Sequence, residues 1–293
     1  MLDRGDALNV QINAWLTVAA CLGAAWLIGD RAYKLCRSIT YRTMDSPDGL
    51  ARRCLTVSAV ACLPLIVTCA VTCVFCWYVA HRSLASIGLI LIPDYSAQFG
   101  LFAATALSAA TLCVVVGYLL GWIRAMPSRM RTDPSRGIPA FCSGLTYTFA
   151  GSILEEVVLR GFALSILCDA SGPVAALLVT SGVFSISHLL SCKKLPPLYL
   201  ANAFLFGVVA GYCRLATGAL WAPIGLHIGW NLPTTSVFGL PMCGSPNHRG
   251  LMECEVRGPS LVTGGAYSPS GGALGSLELG AVALALAVLG VPF

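Results

Sequence analysis

Charged residues are scarce in this sequence. Only 11% of its 293 residues are Asp, Glu, Lys or Arg, whereas a soluble domain carries about 25%. Thirteen acidic and 18 basic side chains are too few to give a polar exterior to a chain that is 57% hydrophobic. The shortage excludes a soluble globular enzyme and predicts an integral membrane protein. We interpret the net charge of +5 as a topology signal, so no nucleic-acid partner is expected.

The 14 cysteines lack the arrangement of a metal or redox site. Most of them lie inside apolar runs. Cys73 and Cys76 form a C-x-x-C pattern, but no second pair accompanies it. Reactive thiols need an accessible, electropositive setting, which an uncharged run does not offer. We therefore expect the cysteines of these runs to act as small packing residues.

Long apolar windows, in contrast, fill most of the chain. None of them shows the two-residue alternation of a membrane barrel strand, so helices are the expected element. The fold class is therefore predicted to be all-α, a polytopic integral membrane protein of about eight transmembrane helices. A count of seven stays open, because the sixth window is short and the eighth is rich in glycine. The windows lie near residues 10–28, 54–80, 95–123, 138–168, 173–191, 195–213, 218–240 and 271–293.

Arginine and lysine are concentrated in alternate connections between these windows. Four such connections hold 14 of the 18 basic residues, namely 29–53, 124–137, 192–194 and 241–270. Because basic residues accumulate on the cytoplasmic side of a membrane, these connections are predicted to face the cytoplasm and the N-terminus to face outside. The expected location is the plasma membrane of a bacterium, crossed several times.

A few ionisable side chains interrupt the apolar windows. Each of them costs about 2.5 to 3.5 kcal/mol to insert into a bilayer, so such residues are usually functional. They form three short patterns in the second half of the chain: Glu155-Glu156-x-x-x-Arg160, Phe184-x-x-x-His188 and His227-x-x-x-Asn231.

The two consecutive glutamates are expected to differ in role. Residues four apart share a helix face, so Glu156 is predicted to pair with Arg160. Glu155 is rotated by about 100° and stays free to act as a general base. The alternative is that the polar residues only hold the helices together, and for the pair of Glu156 and Arg160 that structural interpretation is favoured.

The two histidine patterns follow the same spacing. His227 and Asn231 share one helix face, and Phe184 is expected to stack one turn before His188. From their depth in the predicted helices, both histidines and Glu155 should meet just on the cytoplasmic side of the membrane midplane. We expect a water-accessible cavity there.

Two patterns of small residues predict close helix packing. Gly207-x-x-x-Gly211 and Gly225-x-x-x-Gly229 allow neighbouring backbones to approach. Packing within the chain is the favoured use, and a dimer face is the alternative.

In this order, the three ionisable patterns resemble the motifs of the CPBP family of intramembrane proteases. That family includes the type II CAAX prenyl endopeptidases and bacterial bacteriocin-immunity (Abi) proteins. The resemblance covers about residues 138–280 and includes the flanking runs 160–162, 222–231 and 263–267. It divides the chain into three N-terminal transmembrane helices with basic cytoplasmic loops, 1–137, and a CPBP-like catalytic membrane core, 138–293.

The resemblance implies a role for each motif residue. A glutamate base activates a water, one histidine helps to hold that water, and a second histidine and an asparagine donate hydrogen bonds to the developing oxyanion. In that order the catalytic residues are Glu155, His188, His227 and Asn231. The supporting residues are Glu156, Arg160 and Phe184.

We favour a mechanism that uses no cofactor. The alternative is a zinc ion held by Glu155, His188 and His227, which would leave one coordination position for water.

The leading functional hypothesis is an intramembrane endopeptidase that cleaves a peptide or protein substrate near the cytoplasmic face of the lipid bilayer. A prenylated CAAX-type tail is one substrate that the resemblance implies. The alternative is a non-catalytic membrane scaffold or a bacteriocin self-immunity protein. A transporter is less favoured, because no inverted repeat is visible. The oligomeric state is left open.

Overall fold

The computed structural model describes residues 4–90, 94–192 and 194–290, and helices dominate it. Three helices continue without a break into a π-helical segment: Leu63–Val74 into Phe75–Val79, Pro134–Glu156 into Val157–Ala163, and Trp221–Asn231 into Leu232–Val237. Two short 3₁₀ turns, Gly265–Tyr267 and Pro269–Gly271, precede the last helix. The other elements are α1 (Arg4–Met44), α2 (Leu50–Ala61), α3 (Leu63–Val74), α4 (Asp94–Leu119), β1 (Ile123–Met126), α5 (Arg129–Thr132), α6 (Pro134–Glu156), α7 (Leu164–Ser171), α8 (Pro173–Ser191), α9 (Pro197–Thr217), α10 (Trp221–Asn231), β2 (Glu253–Val256), α11 (Ser260–Thr263) and α12 (Ala273–Val288).

Each of the eight predicted windows contains a helix, which confirms the predominantly helical fold of an apolar membrane protein. Among the described residues, five helical stretches are long and apolar enough to cross a bilayer: Asn9–Met44, Leu50–Val79, Ser96–Leu119, Pro173–Leu190 and Pro197–Thr217. One of the other three windows contains α6 and α7, and the charged motif lies between them, at the end of α6 and in its π-helical continuation. The remaining two windows contain the shorter helices α10 and α12. A count of eight spans therefore stays a prediction.

Large apolar side chains cover the outside of the helices. Leu55, Leu112 and Leu284 are each well exposed, and they lie on three different apolar helices. Large exposed apolar surfaces mark contact with a membrane or a partner. Their spread over separate helices fits a surface that faces lipid.

Helix α1 is longer than the first apolar window. It runs to Met44 and not to residue 28, so the basic residues expected in a loop at 29–53 lie mostly on a helical extension. No proline interrupts the chain before Pro47, and Lys34 pairs with Asp30 one turn away at 2.7 Å. The extension exceeds the roughly 20 residues that a bilayer core needs.

The structure contains a two-stranded antiparallel sheet that was not predicted. Strand β1 pairs with β2, with Ile123 opposite Val256 and Met126 opposite Glu253. The strands are four residues long, and all their residues except Ile123 lie outside the apolar windows, where the hydropathy pattern carries no strand signal. The pairing brings the connections 124–137 and 241–270 together.

All four basic connections lie on one face of the molecule. Besides the sheet, Arg136 pairs with Asp45 at 2.6 Å, and a disulfide joins Cys192 to Cys243, whose Cα atoms are 5.4 Å apart. These contacts bring the four connections together, and their orientation in the membrane stays a prediction. Lys193 and the side chain of Arg4 lie outside the part of the chain that the structure describes.

The disulfide qualifies the expectation for cysteines. It uses two residues that lie between the apolar runs, where the packing argument does not apply. The other twelve cysteines are free, including Cys73 and Cys76 of the C-x-x-C pattern.

Helix α10 lies at the centre of the fold. Its residues from Ala222 to Trp230 are all buried, between α4, α6 and α9. A Cβ at Gly225 would lie 2.5 Å from the carbonyl oxygen of Phe99, and one at Gly229 would lie 2.3 Å from that of Ala103. The glycine pattern is therefore used for packing within the chain, against α4.

The other glycine pattern joins α9 to α8. A Cβ at Gly207 would lie 2.9 Å from the Cα of Ser181, and one at Gly211 would lie 2.5 Å from a methyl group of Leu177. Both predicted patterns are thus confirmed as intramolecular contacts.

The predicted division of the chain at residue 137 stays a prediction. Several contacts cross it: α4 packs on α10, α2 packs on α6, and β1 pairs with β2. The first helices of the chain therefore support the helix that carries the third motif.

Replacing Gly229 by alanine tests the close packing of α10 on α4. The added methyl group would press on the Ala103 carbonyl, so Gly229→Ala is expected to destabilise the protein by about 1 to 3 kcal/mol. Gly182→Ala is the matched control, because no atom lies within 4 Å of a Cβ at Gly182 on α8, and alanine favours a helix there. Thermal unfolding in detergent should show a lower Tm for Gly229→Ala only; equal Tm values would contradict the packing.

Candidate active site

A cavity of about 320 Å³ lies between α6, α8, α9 and α10. The four residues predicted to be catalytic all line it: Glu155, His188, His227 and Asn231. Phe184 lines it too, whereas Glu156 and Arg160 are fully buried behind it. The cavity extends to the face that carries the basic connections, where Cys192 and Cys243 form part of its wall.

Two of the motif helices change their winding at the motifs: within the first motif, before Arg160, and directly after Asn231 of the third. Helix α6 ends at Glu156 and continues as the π-helical segment Val157–Ala163. Helix α10 ends at Asn231 and continues as Leu232–Val237. Short π-helical segments are frequent at functional sites because they redirect side chains. The spacing of the motifs did not predict these changes.

The expected ion pair between Glu156 and Arg160 is present. Arg160 Nη1 donates to Glu156 Oε1 at 3.0 Å, and neither side chain is exposed. The guanidinium also lies 4.5 Å from the centre of the Phe184 ring, a cation–π contact. The pair therefore links α6 and its π-helical continuation to α8.

Glu156 has a second partner that was not predicted. His227 Nδ1 lies 2.7 Å from Glu156 Oε1, the oxygen that also accepts from Arg160. An ionised carboxylate can only accept hydrogen bonds, so His227 Nδ1 carries the proton of this contact. The other ring nitrogen, Nε2, lies 3.7 Å from Glu155 Oε2. One imidazole thus lies between the two glutamates.

The consecutive glutamates have different surroundings, as their 100° separation on the helix predicts. The Glu155 side chain is 40% exposed and lines the cavity, whereas that of Glu156 is 0% exposed. Only Glu155 can meet a substrate or a water that enters the cavity.

His188 is oriented by its own helix. Its Nδ1 lies 2.8 Å from the carbonyl oxygen of Phe184, so Nδ1 donates and Nε2 remains available to the cavity. The Phe184 ring meets the His188 ring edge-on at 4.8 Å, which is the expected contact, and also meets the His227 ring at 5.8 Å. Tyr199 lies on the other side of His188, with a ring distance of 5.6 Å.

Asn231 lies against α6. Its Nδ2 donates to Ser152 Oγ at 3.3 Å, and Ser152 is buried one turn before Glu155. The structure thus brings the third motif alongside the first.

Some cavity residues were missed by the motif analysis. Asn202 on α9 donates to the carbonyl oxygens of Ser270 and Gly272 at 2.9 Å each, and Trp230 Nε1 donates to Ser270 Oγ at 3.4 Å. These contacts hold the turn before α12 over the cavity. An isolated asparagine in an apolar window was the available signal for Asn202.

Comparison with known proteins gives a match over the same helices. Residues 138–233 match the family described as Type II CAAX prenyl endopeptidase Rce1-like. These residues form an Rce1-like domain. No curated protein and no solved structure matches the chain.

The Rce1-like domain contains all three motifs, which confirms the resemblance to the CAAX protease family. The family implies intramembrane proteolysis of CAAX-type substrates by an integral membrane protein, and it does not favour a non-catalytic scaffold or immunity protein. The match ends at residue 233, so the resemblance expected for 234–280 stays a prediction.

The alternative zinc site would use three donors of the Rce1-like domain, Glu155, His188 and His227, and it stays a prediction. Within the described ranges, no three His, Cys, Asp or Glu side chains are grouped closely enough to hold a metal ion. His188 and His227 keep only Nε2 available to a ligand, because Nδ1 of His188 is held by the Phe184 carbonyl and Nδ1 of His227 by Glu156. We therefore assign no catalytic step to a metal.

A double substitution separates the two partners of Glu156 in the Rce1-like domain. Arg160→Met leaves a buried carboxylate without its cation and should destabilise the protein by about 3 to 5 kcal/mol. Adding Glu156→Gln removes the unpaired charge and should restore part of this loss. Thermal unfolding of the two single variants and the double variant measures the coupling; strictly additive effects would contradict the pair.

Proposed function

We propose that the protein is an intramembrane endopeptidase in which Glu155 activates the attacking water. The observation that carries the proposal is the position of Glu155. Among the described cavity-lining residues it is the only carboxylate, and its Oε2 lies 3.7 Å from Nε2 of a histidine whose other nitrogen is held by Glu156.

The gap between Glu155 and His227 suits a water molecule. A distance of 3.7 Å is too long for a direct hydrogen bond, and such gaps are commonly bridged by water. His188 Nε2 can accept a further hydrogen bond from that water. In this proposal Glu155 takes one proton from the water as its oxygen attacks the scissile carbonyl carbon.

His227 and Asn231 are assigned to the oxyanion. As the carbonyl oxygen becomes negative, His227 Nε2–H and Asn231 Nδ2–H donate to it and stabilise the tetrahedral intermediate. Glu155 then gives its proton to the leaving amine, and the products are a carboxylic acid and an amine.

Glu156 is assigned a supporting role. It holds the His227 ring through Nδ1, which leaves Nε2 facing Glu155. Arg160 in turn holds Glu156.

We propose a peptide or protein tail of the prenylated CAAX type as substrate. The family match supports this class, and the cavity can take an apolar substrate because Phe184, Phe206 and Trp230 form part of its wall. No observation favours the scaffold or immunity alternative.

We assign the basic face, and with it the mouth of the cavity, to the cytoplasmic side of a bacterial plasma membrane. Lysine and arginine accumulate on that side. A disulfide on the same face would favour an oxidising compartment instead. The charge distribution extends over four connections and the disulfide is a single contact, so we give the charges more weight; in the cytoplasm the two cysteines would be thiols.

Glu155→Gln tests the proposed base. The amide cannot accept the proton of the attacking water, so cleavage of a fluorogenic farnesylated CAAX peptide should fall by at least about 100-fold. The control is Glu255→Gln, an exposed residue of strand β2 that does not line the cavity, and this variant should keep the wild-type rate. An unchanged Tm must accompany the loss.

A Glu155→Gln variant that cleaves at the wild-type rate would exclude Glu155 as the base. The same assay after treatment with a strong zinc chelator addresses the cofactor. The metal-free proposal requires an unchanged rate, and a loss that added zinc restores would overturn it.

Insertion of a recognition sequence for a site-specific protease tests the orientation. Placed in the turn at 45–49, the sequence should be cut only after sealed spheroplasts are opened. Placed at 83–86, in the connection whose neighbour Arg82 pairs with Asp169, it should be cut from outside. The reverse pattern would place the cavity mouth on the outer face.

A further inference from the structure

One end of the cavity holds a cation that has no carboxylate partner. Arg249 is the only lysine or arginine among the described residues that line the cavity. None of the ion pairs formed within the described ranges includes it. It lies beyond the matched family region, in the segment that follows α10. Its charge is therefore available to a ligand in the cavity.

Several contacts hold Arg249 in position. Its backbone N–H donates to Asn247 Oδ1 at 3.0 Å, and Asn247 Nδ2 donates to the Thr235 carbonyl at 2.8 Å. The guanidinium lies 5.6 Å from the centre of the Tyr147 ring. Stacking on a ring leaves the N–H groups at the edge of the guanidinium free to bind a carboxylate with two hydrogen bonds.

The cavity follows one face of α6 from Arg249 to Glu155. Its α6 lining residues include Gly144, Thr148, Gly151 and Glu155, which recur every three or four positions. A Cβ at Gly144 would lie 2.6 Å from the Cβ of Arg249, so Arg249 packs on the start of this face. No atom lies within 4 Å of a Cβ at Gly151, so this glycine leaves room for a peptide along the helix.

The length of this α6 face gives the distance between Arg249 and Glu155. Tyr147, under the guanidinium, lies eight residues before Glu155, which corresponds to about 12 Å along an α-helix. An extended peptide spans about 3.3 to 3.6 Å per residue, so three residues cover about 10 to 11 Å. A peptide whose scissile bond lies at Glu155 would therefore bring the end of its third following residue close to Arg249.

We propose that Arg249 binds the C-terminal carboxylate of the substrate, three residues beyond the bond that is cleaved. The inference rests on the proposed protease function and adds a specificity residue to it. The opposite charges at the two ends of the cavity also set the direction of the peptide, because Glu155 repels a carboxylate that Arg249 attracts. A Cys followed by three C-terminal residues, the CAAX arrangement, has the length that this distance requires.

Matched peptides test the inference. One farnesylated peptide ends in a free carboxylate three residues after the Cys, a second is its C-terminal carboxamide, and a third carries two additional residues. Wild-type protein should cleave the free acid with a kcat/KM about 10- to 100-fold above that of the other two. Arg249→Gln should lose this preference and cleave all three at the lower value. Arg249→Lys should keep part of the preference, because it retains the charge.

The control variant is Arg257→Gln, an exposed arginine that pairs with Glu255 and does not line the cavity. It should keep the full preference. Equal cleavage of acid and amide by the wild type would overturn the carboxylate site while leaving the protease function intact. So would an equal loss for all three peptides in Arg249→Gln, the result expected if Arg249 bound a lipid phosphate.

A binding measurement keeps the two proposals distinguishable. Fluorescence anisotropy with labelled peptides measures their affinities for the Glu155→Gln variant, which does not cleave them. Tighter binding of the free acid, abolished by adding Arg249→Gln, supports the site even if Glu155 is not the base. Equal affinities for acid and amide would reject it.

Discussion

The buried carboxylate of Glu156 is the contact on which the site depends. One of its oxygens accepts from Arg160 at 3.0 Å and from His227 at 2.7 Å, so it joins α6 and its π-helical continuation to the central helix α10. A charge buried at this depth is tolerated only when it is paired and hydrogen-bonded. Because both partners are required, the relative position of α6 and α10 is fixed, and Glu155 one residue earlier is placed opposite the free nitrogen of the same imidazole.

Helix α10 can occupy the centre only because two of its residues lack side chains. Gly225 and Gly229 let the backbone of α4 pack closely on one face of α10, the helix on which His227 is buried. The N-terminal helices, which lie outside the matched residues 138–233, thus act on the site through packing. A membrane interior offers little hydrophobic driving force between helices, so such close van der Waals contact carries much of the association.

The sequence predicted what depends on local spacing. The pairing of Glu156 with Arg160, the ring contact of Phe184 with His188 and both glycine contacts follow from residues three or four apart on a helix. The second partner of Glu156, the β1–β2 sheet and the disulfide depend on chain segments that are 51 or more residues apart. Spacing carries no information about such contacts, and the roles assigned to the site residues stay predictions.

The position of Arg249 is a second feature that residue spacing does not predict. In the sequence it is one of 14 basic residues that define the topology, and nothing separates it from Arg257. In the structure Arg257 pairs with Glu255 in solvent, whereas Arg249 lies on Tyr147 inside the cavity wall. A basic residue at the mouth of a membrane cavity therefore serves two functions, because the positive charge that orients the chain in the bilayer also gives the cavity its polarity. The direction in which a peptide enters would then follow from the topology of the protein itself.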